Sequence, residues 1–203
     1  PDKPVGRKQE LTISRVKEIA TERSLPLLQP DKLDDASVSN IKEWKPDLII
    51  VAAYGKILPA NILKIPGFGC INVHASLLPK WRGSSPIHNT LLSGETETGV
   101  TIMLMDAGMD TGDILAQETT PIEADETRPE LEARLATLGA VRLRHTLPDF
   151  IERKITPVKQ DDSQATLCQL IDREDGRIFW DTDSQSLYNR YRALTPWPGV
   201  FTY

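Results

Sequence analysis

The chain is expected to fold as an α/β protein around a doubly wound, mostly parallel sheet. Three observations carry that expectation. Residues 48–53 (Leu48, Ile49, Ile50, Val51, Ala52, Ala53) form a continuous apolar run of the kind found in strands covered on both faces. Segments of strand character alternate along the chain with segments of helical periodicity. Helix start and stop signals fall in the gaps between them.

The elements follow in order. Pro1, Pro4 and Gly6 mark an opening loop. A helix is expected over residues 14–22, with Val16, Ile19 and Ala20 on one face. Leu25, Pro26, Leu27 and Leu28 suggest a short strand. Residues 37–44 suit a helix with Val38 and Ile41 inward, and Pro46 breaks the chain before the apolar run. Further strands are expected at Ile71, Asn72 and Val73, at residues 100–105, and at 114–117. Ser85 followed by Pro86 looks like an N-cap with proline at the first helical position, and Gly94 closes that helix. Thr127 and Glu130 have capping-box spacing ahead of the apolar stripe Leu131, Leu135, Leu138 and Val141. Pro148 predicts a kink or restart in that stripe. Near Pro157 the pattern changes, placing one domain over residues 1–157. Residues 158–203 begin with a linker-like Asp161, Asp162, Ser163 and hold a helix over 184–194.

Composition narrows the function. The 203 residues are 39% hydrophobic and 26% charged, which is ordinary for a soluble globular protein. No apolar run approaches the ~20 residues needed to cross a bilayer, and no signal segment opens the chain. Cys70 and Cys168 form no CxxC pair, so reduced, buried thiols in a cytoplasmic protein are expected. Three histidines without ligand spacing argue against a metal site. A net charge of −5 argues against unspecific coating of nucleic acid. It leaves room for a local basic patch at Lys3, Arg7, Lys8, Arg15 and Lys17, although on sequence alone a solvated polar loop is the simpler reading.

Chemistry concentrates in two stretches. In an open α/β sheet, ligands bind beyond the carboxyl ends of the strands, and Asn72 and His74 lie at such an end. Asp106, Asp110 and Asp113 share a glycine-containing loop after the next strand, and by chemistry alone each is a candidate partner for His74. An amide donor, an imidazole that moves protons near neutral pH and a carboxylate that orients it make a minimum kit for acyl transfer without a nucleophilic side chain. Ser76 has no G-x-S-x-G elbow around it and is expected to be a turn hydroxyl.

These stretches resemble the folate-dependent N-formyltransferases. The resemblance lies in the N-x-H-x-S-L-L-P block (residues 72–79), its extension through Trp81, Arg82, Gly83 and Pro86, the segment 97–102, and the loop 106–113. It extends along essentially the whole chain and is strongest toward the members that act on tRNA. What it implies is as follows. The fold is Rossmann-like, lacking its first strand and helix, and is followed by a linker and the start of a C-terminal β-barrel of OB-like type; both ends of the chain look cut. Asn72, His74 and Asp110 are catalytic, the family pattern selecting Asp110 over its two rivals, and Asp113 stabilises its own turn. Lys56, Ile57 and Leu58 line the folate head-group pocket opposite Asp106, Ala107, Gly108 and Met109. Arg7, Lys8, Ser76, Leu77, Leu78, Pro79 and Arg82 contact tRNA, Arg7 holding the place of the key arginine of an insertion loop. The reaction moves a formyl group from 10-formyltetrahydrofolate to the amino group of methionyl initiator tRNA, without a metal. The partners are folate and tRNA, with no membrane and no DNA, for a monomer in a bacterial cytoplasm or an organellar matrix. An amino-sugar nucleotide is the rival acceptor, a glycinamide ribonucleotide a more distant one, and an inactive folate-binding module the reading from another class.

Overall fold

The computed structural model of the chain describes residues 2–5 and 10–203, which fall into two compact units divided between Pro46 and Asp47. In the first unit, β1 (Lys3–Val5) and β2 (Glu10–Thr12) pair antiparallel, with Pro4 opposite Leu11. This ribbon replaces the plain opening loop expected from Pro1, Pro4 and Gly6. A two-stranded ribbon is all edge, so a proline without an N–H is tolerated in it. Helix α1 (Arg15–Glu22) starts where Ser14 Oγ accepts the Lys17 N–H at 3.2 Å. Asp34 likewise caps α2 (Asp35–Glu43) by accepting the Ser37 N–H at 2.9 Å. The strand expected over residues 25–28 does not form. Pro26 offers no ladder donor, and Leu25 and Leu27 remain exposed.

The second unit is built on one sheet in the order β3 (Ile49–Ala52), β4 (Cys70–His74), β5 (Glu97–Leu104), β6 (Ile114–Pro121). Only β3 and β4 run parallel; β4–β5 and β5–β6 are antiparallel. The expected mostly parallel sheet is therefore a mixed one. Strand β5 is buried along most of its length. Burial on both faces does not require parallel neighbours, and the short loop 105–113 can only return the chain antiparallel.

Helices cover this sheet. Short α3 (Ala60–Leu63) lies between β3 and β4, and α4 (Pro86–Leu92) between β4 and β5. Helix α5 (Arg128–Ile151) packs on β5 and β6, with Glu130 Oε2 accepting from both the N–H and the hydroxyl of Thr127. It runs on through Pro148 without the expected restart. A proline this close to the helix end removes one hydrogen bond and leaves the following residues to close the last turn, Glu152 N–H reaching Pro148 O at 2.9 Å. Helix α6 (Ser184–Leu194) packs on α4. Leu91, Val100, Leu131, Leu135, Ala193 and Leu194 bring α4, β5, α5 and α6 into one core cluster, and Ile71, Ile102, Leu115 and Ala116 form a second in the sheet.

Candidate active site

Strand β4 presents Asn72 and His74 two residues apart, hence on the same face, at its carboxyl end. Met103 stands opposite Asn72 and Thr101 opposite His74 across the β4–β5 ladder. Asp110 arrives from the loop between β5 and β6. That loop holds its shape through Asp106, whose Oδ1 accepts the Gly108 N–H at 3.0 Å and the Thr111 hydroxyl at 2.7 Å. Gly112 fits because it has no side chain: a Cβ there would come within 1.8 Å of Leu104 O. Asp110 itself takes a left-handed φ of 54°, a conformation that aspartate tolerates better than most residues. Asp113, expected to stabilise this turn, does so through its backbone, its carbonyl accepting the Leu104 N–H at 2.8 Å; the side-chain role falls to Asp106.

The three residues meet. Asn72 Nδ2 donates to Asp110 Oδ1 at 3.4 Å, and the Gly83 N–H donates to Asp110 Oδ2 at 2.9 Å. His74 Nδ1 stands 3.7 Å from the same Oδ2. His74 Nε2 lies 2.9 Å from Trp81 O, and a carbonyl only accepts, so Nε2 carries a proton. The proton that comes and goes therefore belongs to Nδ1, on the Asp110 side. His74 is 5% exposed, which fixes the ring within this frame. Cys168 Sγ donates to the same Trp81 carbonyl at 3.1 Å. Burial, partly offset by the Ser85 N–H and reinforced by the charge of Asp110, pushes its thiol up to about 11, so it stays a neutral donor at physiological pH.

Asn72, His74 and Asp110 line one cleft of about 530 Å³, which is also lined by Lys56, Ile57 and Leu58 and by Asp106, Ala107, Gly108 and Met109. Its volume and its mixture of apolar walls with a few convergent polar groups are those of a small-molecule site. His88, Arg128 and Glu132 line it too and were not singled out from the sequence. Burial, and then the nearby Arg128 charge, lower the pKa of His88. Among the described residues, no cluster of three or more His, Cys, Asp or Glu has the placement to hold a metal ion. No helix among them is long and apolar enough to cross a membrane.

The residues expected to face tRNA divide. Arg7 and Lys8 lie outside the described residues. Ser76, Leu78 and Arg82 are all buried, at 0%, 3% and 6% exposure. Ser76 Oγ donates to Lys80 O at 2.6 Å, and Arg82 is bonded to Gln160 and Asp162, so neither side chain is free to meet a macromolecule. Leu77 and Pro79 border a second cleft of about 470 Å³ with Lys80, Trp81 and Glu95. Gln160 and Thr166 carry no signal in the sequence, because residues 158–168 show neither periodicity nor a motif, and Cys168 is expected there only as a buried thiol.

Comparison with known proteins joins this geometry to a family. The model of a formyl transferase domain, "Formyl transferase", matches residues 1–147, and that of the "Formyl transferase, C-terminal domain" matches residues 170–203. The methionyl-tRNA formyltransferase of Caldicellulosiruptor saccharolyticus is 50% identical over the whole of this chain, and that of Citrifermentans bemidjiense 45%. The chain spans 65% and 64% of the length of these curated relatives. HypX from Aquifex aeolicus, solved in complex with tetrahydrofolic acid, superposes with a TM-score of 0.74 at 21% identity, over 90% of this chain and 32% of that one, a likeness of fold. With a family model covering most of its length and an Asn-His-Asp cluster set in the matched region, the chain belongs to the formyl transferase family.

Proposed function

We propose that the protein to which this chain belongs transfers the formyl group of 10-formyltetrahydrofolate to the amino group of methionyl initiator tRNA. The observation that carries the reading is the convergence of Asn72, His74 and Asp110 in a single cleft walled by the two loops 54–58 and 105–110. The cleft suits a folate head group: Val51, Ile57, Leu58 and Met105 among its lining residues supply apolar walls for a flat ring. When bound, the folate supplies an activated formyl group on nitrogen.

In this reading the acceptor amine attacks the formyl carbon directly, and no covalent bond to the protein forms. Negative charge develops on the formyl oxygen. Asn72 meets it with the Nδ2 hydrogen not spent on Asp110, and His74 with Nδ1–H. Removing one such donor typically costs about 2.7–4 kcal/mol in the barrier. Nδ1 of neutral His74 takes the proton that the attacking amine loses, and the Nδ1–H so formed is the one that meets the oxyanion. It passes that same proton to N10 as the carbon–N10 bond breaks and the formyl C=O re-forms. Asp110, held by Asn72 and the Gly83 N–H, balances the charge of the imidazolium. The acceptor assignment rests on the 45–50% identity to proteins named methionyl-tRNA formyltransferase. Arg7, Lys8 and the half-buried Leu77 and Pro79 are the proposed tRNA contacts. The division near residue 157 is likewise proposed, supported by the gap between the two family matches at residues 147 and 170.

The test is transfer of labelled formyl to methionyl initiator tRNA by the full-length protein, with His74→Ala beside it. Transfer that falls by about 10²–10⁴-fold in the variant is expected. Folate binding without transfer to tRNA would redirect the acceptor to an amino-sugar nucleotide, and absence of folate binding would end the formyl-transfer reading.

A further inference from the structure

We infer that Gln160, in the segment that leaves the sheet after α5, is a positioning residue for the catalytic cluster, holding the Asp110 loop and the residue 81–83 turn in one frame. The inference rests on the formyl-transfer reading of the cluster.

Gln160 is 5% exposed and its amide is fully spent. Its two Nε2 hydrogens go to Asp110 O at 2.9 Å and Gly112 O at 2.7 Å. Its Oε1 accepts from Arg82 Nε at 3.0 Å and Nη2 at 2.8 Å. One side of the amide thus grips the loop that carries Asp110, and the other grips the turn whose next N–H, on Gly83, bonds the Asp110 carboxylate. The ring of contacts is closed: Asp110 backbone, Gln160, Arg82, Gly83, Asp110 carboxylate. The residue preceding Arg82, Trp81, supplies the carbonyl that fixes the tautomer of His74. Two of the groups that orient Asp110 and His74, the Gly83 N–H and the Trp81 carbonyl, thus flank the residue that this amide grips; Asn72, on β4, holds Asp110 independently.

The same segment is laced to the turn over several residues, so Gln160 does not act on a loose end. Arg82 N–H donates to Thr166 O at 2.9 Å, and Cys168 N–H to Arg82 O at 2.7 Å. Trp81 N–H donates to Thr166 Oγ1 at 2.9 Å. Asp110 needs such a hold because its left-handed backbone is one that the chain does not keep unaided. Only a carboxamide of this length offers two donors on one side and a double acceptor on the other. Glutamate keeps the acceptor for Arg82 but turns lone pairs toward two carbonyl oxygens, and methionine keeps the length without any hydrogen bond.

The test uses the full-length protein with Gln160→Met and Gln160→Glu. Formyl transfer is measured as kcat and KM for 10-formyltetrahydrofolate, and amide hydrogen exchange is followed at Gly83 and along the β4–β5 ladder. We expect kcat to fall by about 10–100-fold, with KM for the donor changed less than about threefold. Exchange at Gly83 should quicken by about tenfold or more while the ladder stays protected. Gln160→Glu retains the Arg82 bond and decides the matter if the methionine variant does not fold. Unchanged Gly83 protection overturns the inference whatever kcat does. So does a kcat within about twofold of the parent, or protection lost evenly along β4 and β5. If the parent transfers no formyl group, the functional reading fails, and Gly83 exchange alone then decides whether Gln160 positions the cluster.

Discussion

Thr101 is the residue on which the geometry beneath the site depends most. It is fully buried on β5, opposite His74, and its hydroxyl has no spare capacity. It donates to Ser76 O at 2.7 Å and accepts from Leu78 N at 3.1 Å and Gln117 Nε2 at 2.9 Å. Gln117 also donates to Leu78 O at 2.8 Å, so the whole 76–78 turn hangs on two β-sheet side chains. Thr101→Val keeps the shape and strands two buried donors. A loss of about 2–3 kcal/mol in equilibrium urea unfolding is expected, since a buried donor left unpaired costs about 1–3 kcal/mol. A loss under about 0.5 kcal/mol would mean that the turn finds other partners. Gly112 makes the parallel case in backbone terms. A Cβ there meets Leu104 O at 1.8 Å and Leu104 C at 2.9 Å, neither of which can rotate away. Gly112→Ala is expected to displace the Asp110 loop and to lower formyl transfer by about 10²-fold or more, the cost of a misplacement near 1 Å. An alanine variant as active as the parent would show the loop to be free to re-form.

At the scale of elements, α5 and β4 are set by their closest approach. Gly139 faces Val73, and a Cβ at 139 would stand 2.8 Å from Val73 Cγ1. Two effects oppose each other in Gly139→Ala. Alanine gains about 1 kcal/mol of helix propensity. Overpacking against a β-branched side chain with few free rotamers costs about 1–3 kcal/mol. A net destabilisation of about 1 kcal/mol is expected in urea unfolding, and Gly139→Ala paired with Val73→Ala should recover part of it. A stabilised single variant would mean that α5 rides free of the strand. These elements were legible in the sequence to different degrees. The helices that carry their own signals, the Thr127–Glu130 box and the Ser85–Pro86 start, appear where the residues place them. Strand direction was not legible, because the burial that makes β5 apolar is the same for parallel and antiparallel neighbours. The ribbon of β1 and β2 was not legible either, since Pro1, Pro4 and Gly6 signal a break in regular structure and not the pairing across it. In the site, Asn72 and His74 are two residues apart on one strand, so their shared face follows from strand geometry alone. Gln160 comes from a stretch 50 residues beyond Asp110, and no local pattern announces a contact made only in the folded chain.

For the whole molecule, the two cysteines tie stability to alkaline pH. Burial raises the thiol pKa of Cys70, and raises that of Cys168 to about 11 from an ordinary value of 9.0. Each folded-state pKa lies above its unfolded value. The stability held in the neutral thiols is therefore fully present below the unfolded pKa and is lost as pH rises through the folded one. For Cys168 the window runs from about pH 9 to about pH 11, where the unfolded chain ionises first and is favoured. A full shift of that size corresponds to roughly 2.7 kcal/mol, and partial solvent access to Cys168 brings the expected contribution to the order of 1–2 kcal/mol. Lysines and tyrosines also titrate at the upper end of this window, so the slope of the parent alone does not isolate the thiol. The difference between parent and Cys168→Ala does. Equilibrium urea unfolding of both at pH 8 and at pH 10.5 should show the parent losing more stability than the variant by that amount. Equal losses would mean that Cys168 is as well solvated in the folded chain as in the unfolded one, and that its donation to Trp81 O is not held.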